Sequence, residues 1–469
     1  MPGADSSLRG PGSILLLSCY ELGHQPLGLA APAGALGRAG YAPRLLDLSH
    51  AALDAEAVAR ARFVAICVPM HTALVMGVRA AERVRAANPG AHICFYGLYA
   101  ALNAEYLLER VADSVAAGET TATLLEWVQS LESGMSTPVP GVSLPGRPAA
   151  PRIARPSGGL PDRRGLPPLD DYIHLEDGPQ TRRVGYVEAT QGCKHLCLHC
   201  PIPPVFGGRF FAVPRESVLA DIRQLVAAGA EHITFGDPDF LNGPGHALAI
   251  VRALHAEFPG ITYDFTAKIE HLLKHRRLLG EFALTGCRFI LSAVESLSDT
   301  VLRHLEKGHT RADVAEALAA ARAAGIPLRP SLIPFTPWST REDYLDLLEW
   351  IAREGLIRHV EPIQLAIRLL VPPGSALLGT PQFEPFRGEL DRAGFIWRWR
   401  HPDPAMDALQ LDVLRLVERA AERGDSPEQA FAAIRAAARR AAGLPEESTP
   451  PLPLPPEFPV PRLTEPWFC

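Results

Sequence analysis

Three thiols on one short loop are the residues of this chain best suited to chemistry. They lie in Gln191-Gly192-Cys193-Lys194-His195-Leu196-Cys197-Leu198-His199-Cys200, spaced Cys-x3-Cys-x2-Cys. A thiolate is a strong soft ligand, and three on a tight loop can converge on one metal centre. Three ligands leave a coordination position open, which suits chemistry more than structure. A structural zinc site normally closes with four. His195 lies between the first two cysteines and His199 abuts the third, so neither reaches easily back to a shared metal. Iron–sulfur is the first reading of this loop, and structural zinc and chance clustering are the alternatives.

Composition narrows the setting. A chain of 469 residues with 47% hydrophobic content can bury at least two cores, so two or three domains are expected. A net charge of −6 predicts no polyanionic partner, hence no nucleic acid. No apolar run approaches the roughly 20 residues that span a bilayer, and the early run Ile14-Leu15-Leu16-Leu17 reads as a buried strand. The expected location is the cytoplasm, where thiols stay reduced.

The elements that must position the loop follow from periodicity. Residues 1–12 are rich in Gly, Ser and Pro and are expected to be disordered. Over 13–133 short apolar strands alternate with helices, which implies an α/β domain with a doubly wound, mostly parallel sheet. Ligands of such sheets bind at the carboxyl ends of the strands. Residues 134–182 lack apolar periodicity and form a Pro/Gly-rich linker. From 183 to 380 a strand–helix rhythm predicts strands near 184–190, 232–235, 263–266, 288–293, 326–333 and 360–367. Residues 381–445 read as a C-terminal helical region, with helices over 404–422 and 427–442 that each open on proline. Residues 446–469 form a Pro-rich tail ending in Cys469.

Strand ends of the second region carry the remaining polar candidates. Gly236-Asp237 follows its second strand, and Lys268 its third. Ser292-Ala293-Val294-Glu295-Ser296 closes its fourth, with Leu302 and Lys307-Gly308 beyond. Gln364 and Arg368 lie on and just after its sixth, where Arg368 serves either a carboxylate ligand or a salt bridge to a helix. Cys19, Cys67, Cys94 and Cys287 read as buried, inert thiols.

Cys193, Cys197 and Cys200 match the CxxxCxxC signature of radical S-adenosylmethionine (SAM) enzymes, and the chain resembles that family. The resemblance implies a partial (β/α)6 TIM-type barrel after the first domain, with a [4Fe-4S] cluster on the three thiolates. It further implies SAM on the open iron, reductive cleavage to a 5′-deoxyadenosyl radical, and an electron donor such as flavodoxin or ferredoxin. His199 stands where the family usually has an aromatic residue near the adenine. Gly236-Asp237 stands where a GGE-like motif binds the SAM amino group; an ordinary turn is the alternative. Ser292, Glu295 and Ser296 resemble the G-x-E-S segment that contacts the methionyl and ribose groups, with Ala293 in place of glycine. Lys268 is placed to neutralise the SAM carboxylate, or else is a solvated loop lysine.

The first domain resembles the cobalamin (B12)-binding-like domain that precedes many such barrels, through Pro26-Leu27-Gly28-Leu29, Tyr96-Gly97 and Val115-Ala116-Ala117-Gly118-Glu119-Thr120. The Asp-x-His-x-x-Gly motif whose histidine ligates cobalt is absent, so two readings stand: a corrin bound without a histidine ligand, or the fold without a corrin. The substrate, a small molecule or a peptide, is not legible. An iron–sulfur electron-transfer protein without SAM chemistry and a zinc-stabilised scaffold are the alternatives.

Leu463-Thr464-Glu465-Pro466-Trp467-Phe468-Cys469 resembles the approach to the Cys-Cys-Ala-Glu-Pro or Cys-selenocysteine-Ala-Glu-Pro tail of one radical SAM family (CCAEP or CUAEP tail). Cys469 would then be the first tail residue, with a UGA selenocysteine codon taken as a stop; an ordinary frayed end with a spare thiol is the alternative. The codon after that of Cys469 is expected to be UGA; sequencing a UAA or UAG there would exclude a truncated selenoprotein.

Overall fold

The computed structural model describes residues 7–134, 137–445 and 460–465; Cys469 and most of the Pro-rich tail lie outside these. Five short apolar runs build the first sheet: β1 (Ile14–Ser18), β2 (Arg44–Asp47), β3 (Phe63–Cys67), β4 (His92–Tyr96) and β5 (Ser114–Ala116). They pair in parallel in the order β2-β1-β3-β4-β5, and β6 (Val142–Ser143) adds an antiparallel edge. All residues of β1 and β3 are buried, as both faces of a parallel sheet carry helices. The order reverses direction between β1 and β3, and the crevice at their carboxyl ends is where such sheets take ligands.

The expected disorder over 1–12 is not general: Leu8 is buried against this sheet's core. Residues 134–182 run between the domains but are pinned. Buried Arg163 donates to both oxygens of Asp221 at 2.9 Å, to Gln25 Oε1 at 3.0 Å and to the Tyr186 carbonyl at 2.8 Å. A boundary at 182 cuts a hairpin, because β7 (His174–Asp177) turns through Gly178 into β8 (Gln180–Val187).

In the second domain β8, β11 (His232–Phe235), β12 (Thr262–Ala267), β13 (Cys287–Glu295) and β14 (Leu328–Leu332) form a parallel run. β7 and β17 (Arg462–Leu463) extend it antiparallel at one edge. The expected sixth strand, 360–367, is instead two 310 turns, Ile357–His359 and Pro362–Ala366. Pro362 lacks the N–H a ladder needs, and one parallel bridge from Phe335 to Arg368 holds that place. Between β8 and β11, β9 (Thr190–Gly192) and β10 (Phe210–Ala212) form an antiparallel ribbon that the sequence reading lacks.

The region 381–445 is not wholly helical either. It opens with a hairpin of β15 (Arg387–Asp391) and β16 (Ile396–Trp399), whose turn places Phe395 in the first domain's core. There Phe395 meets Tyr106 edge-on at 4.9 Å, and Gly394's carbonyl lies 2.7 Å from His71 Nε2. The helices Pro404–Arg423 and Pro427–Ala441 then pack beside Arg341–Arg353, with buried Arg435 on Glu349 at 2.9 Å. Among the described residues no helix is long and apolar enough to cross a membrane.

His24, after β1, tilts onto the Tyr186 ring of β8 at 4.7 Å and joins the two domains. Burial holds its pKa down at about 3, helped by His232, so the folded state keeps the ring neutral. The unfolded chain takes the proton below about pH 6.5, so this contribution to stability is lost as pH falls through that value. The stability advantage of the native chain over His24→Gln should therefore shrink by about 1.4 kcal/mol per pH unit between pH 6 and 4 in urea titrations. A constant difference would show that His24 is not held neutral.

Candidate active site

The cysteine loop hangs from the β9–β10 ribbon. Gly192, whose φ is +78°, pairs with Phe210 and turns the chain outward. A Cβ there would stand 2.3 Å from the Arg209 carbonyl, so the loop can only start on glycine. Leu198 N–H donates to the Leu305 carbonyl at 3.0 Å, and Lys194 N–H to Asn242 Oδ1 at 3.2 Å. Cys193 and Cys197 are buried and Cys200 is partly so.

The three thiols lie close enough to act on one another's charge. Burial raises the Cys193 thiol, and burial with the charges of Cys197 and Cys193 pushes Cys200 up to about 12. Backbone N–H groups of His195 and Ile202 point back at the sulfurs of Cys193 and Cys200. Left alone, the Cys193 and Cys200 thiols stay protonated; a bound cation is what converts clustered thiols to thiolates. Countercharge is already present. Lys268 Nζ lies 3.6 Å from Cys197 Sγ, and Lys307 acts on both Cys197 and Cys200. The donor set therefore fits a thiolate-bound cluster with one position open.

Glu295 provides the adjoining polar wall. It ends β13 at a bulge and adopts φ +62°, the left-handed region that non-glycine residues rarely enter. Such strain persists where surrounding contacts impose it. Here Lys307 Nζ donates to Glu295 Oε1 at 3.0 Å, and His199 Nε2 lies 3.3 Å from the same oxygen. Burial alone would raise this carboxyl, but Lys307 and His199 outweigh it and hold it at about 2. Burial shifts His199 down, its Nε2 faces the carboxylate, and its Nδ1 is buried without a partner.

The other expected residues are placed differently. Lys268 is buried on the thiol side, not a solvated loop lysine. Asp237 has both oxygens engaged inside the protein, one by Thr190 Oγ1 at 2.5 Å and one by Ala189 N–H at 3.0 Å. It ties the end of β11 to the root of the cysteine loop. Gly236 is required by Tyr186, whose hydroxyl oxygen would meet a Cβ at 1.9 Å. Ser292 donates to the Ala267 carbonyl at 2.8 Å within the sheet, and Ser296 Oγ accepts the Ser298 N–H at 3.1 Å. Arg368 pairs with Asp407 at 2.5 Å and lies over Trp399, while Gln364 accepts the Leu332 N–H at 3.0 Å. Both serve packing.

The first domain borders the same space. Helix Leu98–Leu102 packs against Pro203–Phe206, just past Cys200. Burial and the charge of Cys200 raise the Tyr99 hydroxyl pKa. At the carboxyl end of β1, Ser18 Oγ, Glu21 Oε1 and His24 Nδ1 are buried without hydrogen-bond partners. Orphaned polar atoms at a sheet's reversal point are what a polar ligand there would satisfy.

Truncating Lys307 would leave Glu295 charged, buried and unpaired. Lys307→Ala should cost roughly 3–5 kcal/mol in urea unfolding, and Lys307→Met with Glu295→Gln should recover part of it. A single variant within about 1 kcal/mol of the native chain would refute the pairing.

The radical SAM superfamily model matches residues 187–351. The ribosomal protein uS12 methylthiotransferase RimO of Geobacter sulfurreducens is 30% identical over 189 residues, 36% of this chain and 39% of that protein. The tRNA-2-methylthio-N(6)-dimethylallyladenosine synthase of Sorangium cellulosum is 26% identical over 235 residues, 42% and 46% of the two chains. The chain thus spans about two fifths of the length of these relatives. The cobalamin-dependent SAM radical enzyme OxsB, solved with aqua-cobalamin bound, superposes with a TM-score of 0.70 at 15% identity, over 87% of this chain and 67% of that one. TsrM of Kitasatospora setae, a radical SAM methyltransferase solved with cobalamin and a [4Fe-4S] cluster, gives 0.57 at 17%, over 73% and 70%. These two likenesses are of fold. The match over 187–351 falls on the domain that carries Cys193, Cys197 and Cys200 at one end of its sheet, and over those residues this chain is similar to the radical SAM superfamily.

Proposed function

We propose that Cys193, Cys197 and Cys200 hold a [4Fe-4S] cluster and that the chain is a radical SAM enzyme functionalising a C–H bond of a small molecule or peptide. The observation that carries this reading is the buried, lysine-compensated group of three thiols beside Glu295. When bound, cluster and SAM together supply a 5′-deoxyadenosyl radical. The chain's own residues bind and shield. Lys268 and Lys307 offset thiolate charge, and Glu295 presents a fixed carboxylate to the cationic and hydroxyl groups of SAM. His199 Nδ1 offers an acceptor to the adenine amino group. Gly236, Asp237, Ser292 and Ser296 set the walls on which these groups stand. Helix Leu98–Leu102 packs on Pro203–Phe206, just past the loop, and would help to limit water there.

A corrin at the carboxyl end of β1 and β3 is the second cofactor we propose, supported by the unpartnered Ser18, Glu21 and His24 atoms and by the fold shared with OxsB and TsrM. Methyl transfer to carbon is the outcome this pairing favours. The net charge of −6 disfavours an RNA substrate of the kind named for the tRNA-modifying relative. A one-electron donor of the flavodoxin or ferredoxin type is required.

Anaerobic reconstitution should give a [4Fe-4S] absorbance band, with 5′-deoxyadenosine formed from SAM and dithionite. Cys197→Ala should abolish both. A cluster band without SAM cleavage would favour an electron-transfer protein, and a colourless zinc-loaded protein a scaffold. With hydroxocobalamin, about one equivalent should stay bound through gel filtration; none retained would leave the fold without a corrin.

A further inference from the structure

A second set of metal-ligand atoms lies beside the cysteine loop. His195 projects from between Cys193 and Cys197, Asp239 follows β11, and His271 sits on the helix Ile269–Lys274 after β12. His271 Nδ1 is 2.6 Å and His195 Nε2 3.4 Å from Asp239 Oδ2, and one ligand atom from each residue lies within 4.8 Å of the others. These three atoms are buried, and none makes a hydrogen bond of good angle, although both imidazoles stand at ion-pair distance from the carboxylate. Asp239 is wholly buried and His271 nearly so. Two ring nitrogens and a carboxylate oxygen thus face one another with no proton shared in good geometry.

We propose that His195, Asp239 and His271 form a divalent metal site, for zinc or a similar borderline cation. Two imidazoles and one carboxylate suit such an ion and leave a position open. In a tetrahedral shell with bonds of about 2.0–2.1 Å the donors stand roughly 3.3 Å apart. The His195–Asp239 spacing already matches, and the His271–Asp239 spacing must open by less than 1 Å. Outer partners are in place as well. Ligating histidines usually give their other N–H to a carboxylate, and Glu270 Oε2 stands 3.6 Å from His195 Nδ1, at ion-pair distance and just outside hydrogen-bond reach. Ligating carboxylates are themselves hydrogen-bonded, and Asp239 Oδ1 accepts the Leu241 N–H at 3.0 Å. Lys268 Nζ, 3.7 Å from Glu270, is the cation facing this outer carboxylate.

The site would clamp the cysteine loop to two strand ends, because its ligands come from the loop, the end of β11 and the helix after β12. It does not rest on SAM chemistry, and its metal is read separately from the cluster's iron. The test uses the full chain with its cluster reconstituted, so that the three thiols are occupied. Zinc is titrated in competition with a chromogenic chelator, and iron is counted in the same samples. The native chain should take up about one equivalent of zinc, and Asp239→Asn and His271→Gln should lose it when compared in samples matched for iron content. Equal zinc in the native chain and both variants, or none above a buffer blank, would overturn the proposal. Zinc-edge X-ray absorption of the native protein covers the case in which the variants do not fold. A shell of nitrogen and oxygen near ~2.0 Å with imidazole scattering is expected, whereas sulfur near ~2.3 Å would place the zinc on the cysteines and refute the site.

Discussion

A carboxylate taken out of water must find countercharge or accept a proton, and much of this site's geometry follows from how Glu295 meets that requirement. Its oxygen is shared by Lys307 and His199. Both contacts need the side chain to leave β13 at an angle that a regular strand does not provide. The bulge between Ala293 and Glu295 and the left-handed backbone at Glu295 supply that angle. Lys307 in turn acts on the thiols of Cys197 and Cys200, so one buried ammonium joins the carboxylate wall to the cysteine loop. Strain at one backbone position is held in place by an ion pair to Lys307 and an imidazole contact from His199.

The same space is closed by the way two sheets meet. The reversal point of the first sheet lies at the carboxyl ends of β1 and β3, and the cysteine loop follows the carboxyl end of β8. His24 packs on Tyr186, and Arg163 bonds Gln25, Asp221 and Tyr186 together from the connector. A buried ion pair such as Arg163–Asp221 adds little net stability. Its four hydrogen bonds do fix direction, since each partner belongs to a different segment. On the far side Phe395 enters the first domain's core from the β15–β16 hairpin. The domains are thus fastened at separate places around a shared space.

What was legible in the chain was what depends on local pattern. Apolar runs of four or five residues reveal β1, β3, β4 and β11, and the spacing of Cys193, Cys197 and Cys200 is a ligand pattern whatever surrounds it. What was hidden depends on partners distant in the chain. The apolar stretch 360–367 looks like a strand, but Pro362 and the buried 310 turns give it another form. Asp237 looks like a ligand group because it follows a strand. Only the structure shows both its oxygens already engaged by Thr190 and Ala189. Lys307 stood in a quoted segment, but its reach to Glu295 is a contact across twelve residues of chain that no periodicity encodes. The β9–β10 ribbon pairs Gly192 with Phe210 across the whole cysteine loop, and the strands are too short to show alternation.

Gly236-Asp237-Pro238-Asp239 shows how closely related residues can be set to different work. Asp237 meets only neutral donors, and burial lifts its carboxyl to about 6. Asp239 is also penalised by burial, but the imidazoles of His195 and His271 outweigh that and shift it down. Proline between them lacks an N–H and fixes one backbone angle, so the chain cannot continue the ladder of β11 and the second carboxylate is turned to new neighbours. The two aspartates hold the cysteine loop at different points. Asp237 binds its root at Thr190, and Asp239 faces His195 within the thiol spacing itself. The turn after β11 therefore governs both where the loop starts and how its first two cysteines are presented, although neither aspartate touches a sulfur.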